Sequence, residues 1–198
     1  MPLASEQPTP LTYEDYRNWP DGERWELIRG EAWDMTPVPS FRHQRVAVRL
    51  AYLLESALAG SPCKPCVAPA DVILSECDVV QPDVFVVCGG EKVHPEGIRG
   101  APDVVFEILS PSTALKDRGV KRALYERHGV AEYVLLDPEG EYAEKWSLSD
   151  ERTYGQSQVL GPRDNLVLSA LGGLSLILAE VFELPHQETL PSPQPPPV

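Results

Sequence analysis

The sequence has no uninterrupted apolar run long enough to cross a membrane. Its longest apolar stretch, residues 166–182, is broken by Gly172, Gly173, Glu180 and two serines, and therefore predicts part of a globular core. The first twelve residues carry no apolar segment behind basic residues, as a secretory signal would. We therefore expect no membrane partner and a cytoplasmic location.

Basic residues are scarce. Seventeen Lys and Arg stand against thirty Asp and Glu, which gives a formal net charge of −13 and a pI near 4.7. Such a charge repels a polyanion at long range and argues against a protein that coats nucleic acid with its whole surface. A nuclease is still allowed, because a local basic patch beside an acidic metal site can act even when the net charge of the protein is negative.

Cysteine is also sparse, with four in the chain. Cys63 and Cys66 have the spacing of half a zinc knuckle, but no second close pair follows them. Cys77 and Cys88 are isolated. This pattern favours reduced, packed thiols over structural zinc or redox chemistry.

The chain is long enough for one compact domain, with 198 residues of which 42% are hydrophobic. We expect a flexible lead-in over residues 1–10, a single domain over residues 11–184, and a disordered proline-rich tail over residues 185–198. Each end is too polar or too rich in proline to bury apolar surface of its own.

Helical and extended patterns alternate within the domain. Thr12 begins a capping box for a short helix, and Ser40 caps a longer helix that Gly60 ends. The other predicted elements are a hairpin over 25–35, extended segments over 66–74, 79–87 and 103–109, a helix over 113–128, a strand over 132–136, a late hairpin of 142–147 with 153–160, and a last strand or helix over 174–178. This order predicts a mixed α/β sandwich.

Glu107 is the most pointed feature, because it lies inside the apolar segment 104–109. A strand this apolar is normally buried on both faces, and a buried carboxylate needs a metal, a cation or a proton. Two structural explanations stay open: a salt bridge to a neighbouring arginine, or an edge position that faces water.

Asp83 lies in a second apolar segment, directly after Pro82. If its strand pairs with that of Glu107, the two carboxylates converge. Neighbouring carboxylates repel each other unless a cation sits between them, and hard oxygen ligands suit Mg²⁺ or Mn²⁺. The two segments together predict a divalent metal site.

Pro82-Asp83 followed by Glu107-Ile108-Leu109 resembles the PD-(D/E)XK nuclease motif, with leucine where that motif has lysine. Over about residues 11–182 the chain also resembles the bacterial Uma-two family of restriction endonuclease-like proteins. The strings that carry this resemblance are Tyr13-Glu-Asp-Tyr, Trp25-Glu-Leu-Ile-Arg-Gly-Glu31, His43-Gln44, Val80-Gln-Pro-Asp83, Glu107-Ile-Leu-Ser-Pro-Ser-Thr113, Asp117-Arg-Gly-Val-Lys121, Tyr125 and Val134-Leu-Leu-Asp-Pro138.

The resemblance implies an α/β fold with a restriction endonuclease-like mixed sheet core, flanked by helices and extended by N-terminal and C-terminal β-hairpins. It implies that Asp83 and Glu107 bind the metal and that the catalytic lysine has moved to Lys121 on the following helix. A long side chain can reach the same point from a neighbouring element. The alternative for Lys121 is an intrahelical pair with Asp117, four residues away.

Further residues are weaker candidates. The resemblance implies that Glu31 approaches the metal, although a solvated hairpin acid is the alternative. His43, Gln81 and Tyr125 are candidates for contacts with the substrate or with the metal water, and Tyr125 shares a helix face with Lys121. Arg118 belongs to a set of basic residues on the two long predicted helices, which would hold phosphates if those helices lie along a cleft. Solvated helix faces are the simpler explanation for most of that set.

The sequence therefore predicts a Mg²⁺- or Mn²⁺-dependent endonuclease that hydrolyses DNA, as a single chain or as a homodimer. The alternative is a nuclease-fold binding or regulatory module without turnover, which Leu109 and the acidic composition favour. Divalent metal ions would stabilise the first and leave a protein with no metal site unaffected.

Overall fold

The computed structural model describes residues 9–20, 24–35 and 38–185. Residues 1–8 of the predicted lead-in and residues 186–198 of the predicted tail lie outside the described residues. The described helices are α1 (Tyr13–Arg17), α2 (Phe41–Ala57), α3 (Ala114–Lys116), α4 (Arg122–His128) and α5 (Leu178–Val181), with a π-helical turn at Asp117–Lys121 and a 3₁₀ turn at Ser169–Leu171. None of these helices is long and apolar enough to cross a membrane.

Two mixed sheets and one hairpin make up the β structure. The strands are β1 (Trp25–Ile28), β2 (Glu31–Asp34), β3 (Cys63–Val67), β4 (Val72–Ser75), β5 (Asp78–Val80), β6 (Val84–Cys88), β7 (Val93–His94), β8 (Gly97–Arg99), β9 (Val104–Ile108), β10 (Glu132–Asp137), β11 (Tyr142–Ser147), β12 (Gln158–Leu160), β13 (Asn165–Leu168) and β14 (Leu174–Ile177). One sheet has the order β2-β1-β5-β4-β8-β7 and the other β12-β11-β10-β9-β6-β3, while β13 and β14 form the C-terminal hairpin. The prediction of an α/β fold with a mixed sheet is confirmed.

The second sheet is the centre of the molecule. Its strand β9 runs parallel to β10 and antiparallel to β6, and all five of its residues are buried. The segment from α3 to α4 connects β9 to β10, as a parallel pair requires. Helix α2 packs Val46, Leu50 and Leu54 against one face of this sheet. The continuous apolar run around Glu107 is thus a fully buried strand, as predicted.

Two segments that the sequence predicts as single strands are each split between the sheets. The segment 79–87 breaks at Gln81-Pro82-Asp83, so that β5 belongs to the first sheet and β6 to the second. The segment 66–74 breaks after Val67 in the same way, with β3 and β4 in different sheets. Pro69 and Pro82 lie in the two breaks, and proline cannot donate to a ladder, which explains why the chain changes sheets there.

The cysteines differ from the prediction. Cys63 and Cys88 form a disulfide, whereas Cys66 and Cys77 are free and half-buried. Strands β3 and β6 pair in an antiparallel register that places Cys63 directly opposite Cys88. The expectation of reduced thiols is wrong for this pair, because the register that brings the two sulfur atoms together cannot be read from their spacing in the sequence.

Candidate active site

Asp83 and Glu107 face each other across neighbouring strands. Val84 is paired with Phe106, so Asp83 and Glu107 lie one step beyond the last ladder pair of β6 and β9. Directly opposed residues in an antiparallel pair point their side chains to the same side. Both carboxylates line one cleft of about 550 Å³. The chain break at Pro82 positions this pair, because it ends the ladder where the cleft begins.

The Asp83 carboxylate is held through one of its oxygens. Its Oδ2 accepts a 2.8 Å hydrogen bond from the backbone N–H of Ile108 and lies 3.2 Å from His43 Nε2. His43 is buried in the first turn of α2, where Ser40 caps the helix. Within the described residues, the hydrogen bonds to the Asp83 side chain fall on Oδ2.

Glu107 is held in the same way and is almost fully buried, with 3% of its surface exposed. Its Oε1 accepts hydrogen bonds from Lys121 Nζ and from the Tyr125 hydroxyl, both of 2.8 Å. Burial raises the pKa of Glu107 to about 8, with the charge of Lys121 opposing this shift and the charge of Asp83 adding to it. Burial first, and the neighbouring acids after it, thus disfavour the charged form of Glu107.

Lys121 bridges two buried glutamates. Its Nζ lies 2.8 Å from Glu107 Oε1 and 2.8 Å from Glu26 Oε1. Burial alone would lower the pKa of Lys121, but the charges of Glu107 and Glu26 outweigh it and hold the pKa well above its usual value. Lys121 therefore stays protonated. The intrahelical alternative, a pair with Asp117, gives way to these two contacts.

Glu26 is a site residue that the sequence analysis missed. It is fully buried in β1, and its Oε2 lies 2.6 Å from Lys116 Nζ, while the backbone N–H of Gln81 donates to Oε1. Burial alone would raise the pKa of Glu26, but Lys121 and Lys116 together lower it. A signal for Glu26 was present: a lone acid inside the apolar run 25–28, the pattern that identified Glu107.

Glu31 does not reach the cleft. It lies exposed in β2, opposite Ile28, and is not among the residues that line the cleft. Of the two acids on this hairpin, Glu26 lines the cleft and Glu31 does not. A two-residue turn at Arg29 and Gly30 separates the strands, and both residues adopt positive φ angles that tighten it. The hairpin thus buries the first strand and exposes the second.

The remaining candidates divide into two groups. Gln81 lines the cleft, and its Nε2 donates a 2.9 Å hydrogen bond to Asp71 Oδ1, which anchors the segment before Asp83. His43 and Tyr125 contact the two central acids directly, as described above. Arg118 lies elsewhere, because its guanidinium binds Glu144 and the Tyr142 hydroxyl on β11.

Acidic partners neutralise most of the predicted basic patch. Arg42 pairs with Glu141, Arg45 with Glu183, and Arg118 with Glu144. Arg127 pairs with Asp78. An arginine that is already paired gains less from a phosphate than a free one, because it must give up its partner. The helices therefore do not present the free cationic track that the sequence suggested.

The floor of the cleft has more acids than bases. Its carboxylates belong to Glu26, Asp83, Glu107 and Asp117, and its ammonium groups to Lys116 and Lys121. These four carboxylates outnumber the two ammonium groups, and the wider lining of the cleft adds Asp34, Glu139 and Arg24. Burial also raises the pKa of Asp117, with Lys121 opposing the shift. Such a floor is stabilised by an added cation or by bound protons.

A metal would find few protein ligands here. No group of three or more His, Cys, Asp or Glu among the described residues has the arrangement of a metal site. Mg²⁺ often takes only one or two carboxylates and keeps several waters. The carboxylates of Asp83 and Glu107, which both line the cleft, fit that small donor set.

Three comparisons with known proteins each found a similar family, protein or structure. The model of the Uma2 family, described as "Putative restriction endonuclease", matches residues 13–179. The uncharacterized protein slr1290 of Synechocystis is 30% identical over 131 residues, which cover 64% of this chain and 67% of that protein. A solved structure described as a "putative nuclease belonging to DUF820", from Anabaena variabilis, has a TM-score of 0.72 at 18% identity and covers 88% of this chain and 98% of its own. This structural similarity shows a shared fold.

Proposed function

Because the chain belongs to the Uma2 family of restriction endonuclease-like proteins, we propose that it is a metal-dependent endonuclease that hydrolyses DNA phosphodiester bonds. Asp83 and Glu107 would bind Mg²⁺ or Mn²⁺, and Lys121 would be the lysine of the site. One observation carries the proposal: Asp83 and Glu107 lie opposite each other on neighbouring strands and line one cleft, and the hydrogen bonds described above fall on one oxygen of each carboxylate.

The anchoring is what a preorganised cation site requires. Ile108 N–H and His43 fix Asp83, while Lys121 and Tyr125 fix Glu107, so neither carboxylate has to be ordered when a cation arrives. The excess of acidic over basic side chains along the cleft supports a bound cation. A bound Mg²⁺ would polarise the phosphate and lower the pKa of a coordinated water.

Lys121 has a defined part in this proposal. Since its ammonium group is held protonated between Glu107 and Glu26, it cannot accept a proton from water. It would instead supply positive charge and hydrogen bonds beside the reacting phosphate, and it would keep Glu107 in position. Lys121 is thus the functional counterpart of the lysine that Leu109 replaces.

A catalytically inactive binding module is the second candidate. The paired arginines favour it, because they leave little free positive charge to hold a duplex. Leu109, which is buried at the motif position, points the same way.

Cleavage of supercoiled and linear DNA, with and without Mg²⁺ or Mn²⁺, separates the two candidates. We expect metal-dependent cutting by the native protein and a loss of about 1,000-fold in Asp83→Asn, since one preorganised group is worth two to three powers of ten and the metal site depends on it. Asp150→Asn is the matched control, because Asp150 is exposed in a turn after β11. Equal activity of Asp83→Asn and the control would refute the proposal.

A further inference from the structure

Two lysines share the buried carboxylate of Glu26. Lys116 Nζ lies 2.6 Å from Glu26 Oε2, and Lys121 Nζ lies 2.8 Å from Glu26 Oε1. Both lysines line the cleft. The proposed function gives a part to Lys121, whereas Lys116 has none in it and lies outside the sequence strings that carry the family resemblance.

The two lysines differ in their partners and in their burial. Lys121 has two carboxylate partners, Glu26 and Glu107, and its side chain is 5% exposed. Within residues 9–20, 24–35 and 38–185, the ion pair of Lys116 is with Glu26 alone, and its side chain is 14% exposed. An ammonium group has three N–H donors, so Lys116 keeps donors for a further acceptor in the cleft.

The hairpin of β1 and β2 fixes the position of Lys116. Glu26 on β1 is paired directly with Trp33 on β2, and directly opposed side chains of an antiparallel pair lie on the same side. Lys116 Nζ lies 5.2 Å from the centroid of the Trp33 ring, within the range of a cation–π contact. A cation that is already ordered in this way loses little entropy when an anion binds it.

Lys116 is also close to the two central acids. An unbroken series of ion pairs, with distances of 2.6, 2.8 and 2.8 Å, joins Lys116, Glu26, Lys121 and Glu107. The charges alternate along this series, which ends at one of the two proposed metal ligands. A phosphodiester chain that reaches a metal at Glu107 and Asp83 can therefore reach Lys116 as well.

Other basic side chains are less suited to such a contact. Three arginines of the flanking helices are paired with glutamates and are not among the described residues that line the cleft: Arg42, Arg45 and Arg118. Arg24 lines the cleft, but it is exposed and its guanidinium donates to the neutral amide of Gln81. Besides Lys121, Lys116 is thus the lining cation that the described residues hold through a buried carboxylate.

We propose that Lys116 binds a phosphate group of the substrate, beside the metal site of Asp83 and Glu107. Its ammonium group donates to a non-bridging phosphate oxygen and keeps its contact with Glu26, so no partner has to be given up. This inference rests on the proposed function, because it adds a substrate-binding residue to the same site.

The salt dependence of DNA binding tests the contact. A lysine that contacts a phosphate releases counterions, and each such contact adds about 0.9 to the slope of log K against log salt for duplex DNA. Binding of a fluorescent duplex oligonucleotide is measured by anisotropy in EDTA, from about 50 to about 200 mM NaCl. We expect Lys116→Gln to bind more weakly than the native protein at the lower salt concentration. This deficit should shrink about threefold by the higher one, because the variant lacks one contact.

Lys92→Gln is the matched control. Lys92 is also a half-buried lysine with one carboxylate partner, Asp103, but it is not among the described residues that line the cleft. This variant should bind DNA with the slope of the native protein.

A second variant separates the contact from folding. Lys116→Gln leaves Glu26 with one lysine fewer, which can destabilise the fold. In the double variant Lys116→Gln with Glu26→Gln, the buried charge is removed together with its partner, which costs less than removing either alone. The double variant should show the same loss of slope.

The outcomes distinguish this inference from the proposed function. A smaller slope in both Lys116 variants, without metal-dependent cleavage by the native protein, would remove the nuclease and keep the inference. Metal-dependent cleavage with a native slope in these variants would keep the nuclease and overturn the inference. An equal loss of slope in Lys92→Gln, or no DNA binding by the native protein, would also overturn it.

Discussion

Glu107 and Glu132 are buried glutamates on neighbouring strands, β9 and β10, and each has a lysine partner. Glu132 accepts hydrogen bonds on both oxygens: Lys145 Nζ at 3.0 Å and Ser169 N–H at 3.2 Å bind Oε1, and Ala170 N–H at 3.2 Å binds Oε2. At Glu107 both donors bind Oε1, and the charge of Asp83 adds to the repulsion.

The difference shows that burial of a carboxylate is not in itself a sign of function. Glu132 has donors enough for its charge, and it fastens the 3₁₀ turn after β13 to the sheet. Glu107 has fewer hydrogen-bond donors than a purely structural carboxylate needs, and its acidic neighbours disfavour its charge. The protein itself compensates the charge of Glu132, the structural glutamate. The charge of Glu107, the candidate catalytic glutamate, is compensated only when a cation or a proton is added.

The largest expected effect is on the free energy of unfolding. It should be large for a substitution at Glu132 and small for the same substitution at Glu107. Glu132→Gln leaves the Lys145 ammonium group buried without its counter-charge, and we expect a loss of about 3 kcal/mol in the free energy of unfolding. Glu107→Gln leaves Lys121 its second partner, Glu26, and keeps an acceptor for Tyr125, so we expect a change below about 1 kcal/mol. Urea unfolding measures both. Equal losses would mean that the two sites do not differ.

Binding of a divalent metal should also distinguish the Glu107 site from the Glu132 site, through the melting temperature. At a Mg²⁺ concentration about 100 times its dissociation constant, binding adds about 2.7 kcal/mol, or about 5–10 °C in melting temperature for a domain of this size. We expect this shift in the native protein and in Glu132→Gln, measured against the protein in EDTA.

Glu107→Gln is the variant that should lose the metal response. A full shift in that variant would place the ion away from Glu107. No shift in the native protein at any concentration of Mg²⁺ or Mn²⁺ would favour the inactive binding module.

The smallest expected effect concerns Asp78, another well-satisfied carboxylate. Burial alone would raise the pKa of Asp78, but hydrogen bonds from His128, Arg29 N–H and Ser75, together with the charge of Arg127, hold it well below its usual value. Because the folded-state pKa is depressed, this stabilisation is complete above about pH 4 and is lost as the pH falls.

Asp78→Asn should therefore cost about 1.5 kcal/mol at pH 7, and its difference from the native protein should shrink as the pH falls below 4. Thermal melts from pH 7 to pH 2.5 measure this difference. Asp150→Asn should track the native protein throughout, because Asp150 is exposed. A difference that does not change with pH would show that the loss comes from packing rather than from charge.

Local sequence patterns predicted the structure correctly where it depends on a single helix or strand. The capping box at Thr12, the helix after Ser40 and the buried strand around Glu107 all have their causes within a few residues. The same reasoning brought Asp83, Glu107 and Lys121 to one cleft, because each lies next to a recognisable strand or helix boundary.

The features that the sequence did not predict have a common physical cause, since each depends on pairing between distant segments. Whether Glu26 or Glu31 reaches the cleft is decided by which hairpin strand pairs with β5, and only β1 does. The Cys63–Cys88 disulfide depends on the register of β3 with β6. The partners of Arg42, Arg45 and Arg118 come from elements between 26 and 138 residues away along the chain. Spacing within one segment does not contain this information.

The π-helical turn at Asp117–Lys121 has a consequence for how this family can change. Lys116 and Lys121 reach the two oxygens of Glu26 although they are five positions apart, which in a regular α-helix would point them about 140° away from each other. Regular α-helical geometry over these five positions would turn one of the two ammonium groups away from Glu26. Homologues that keep both lysines at this five-residue spacing should therefore keep the π-helical turn, even where the other residues in it have been replaced.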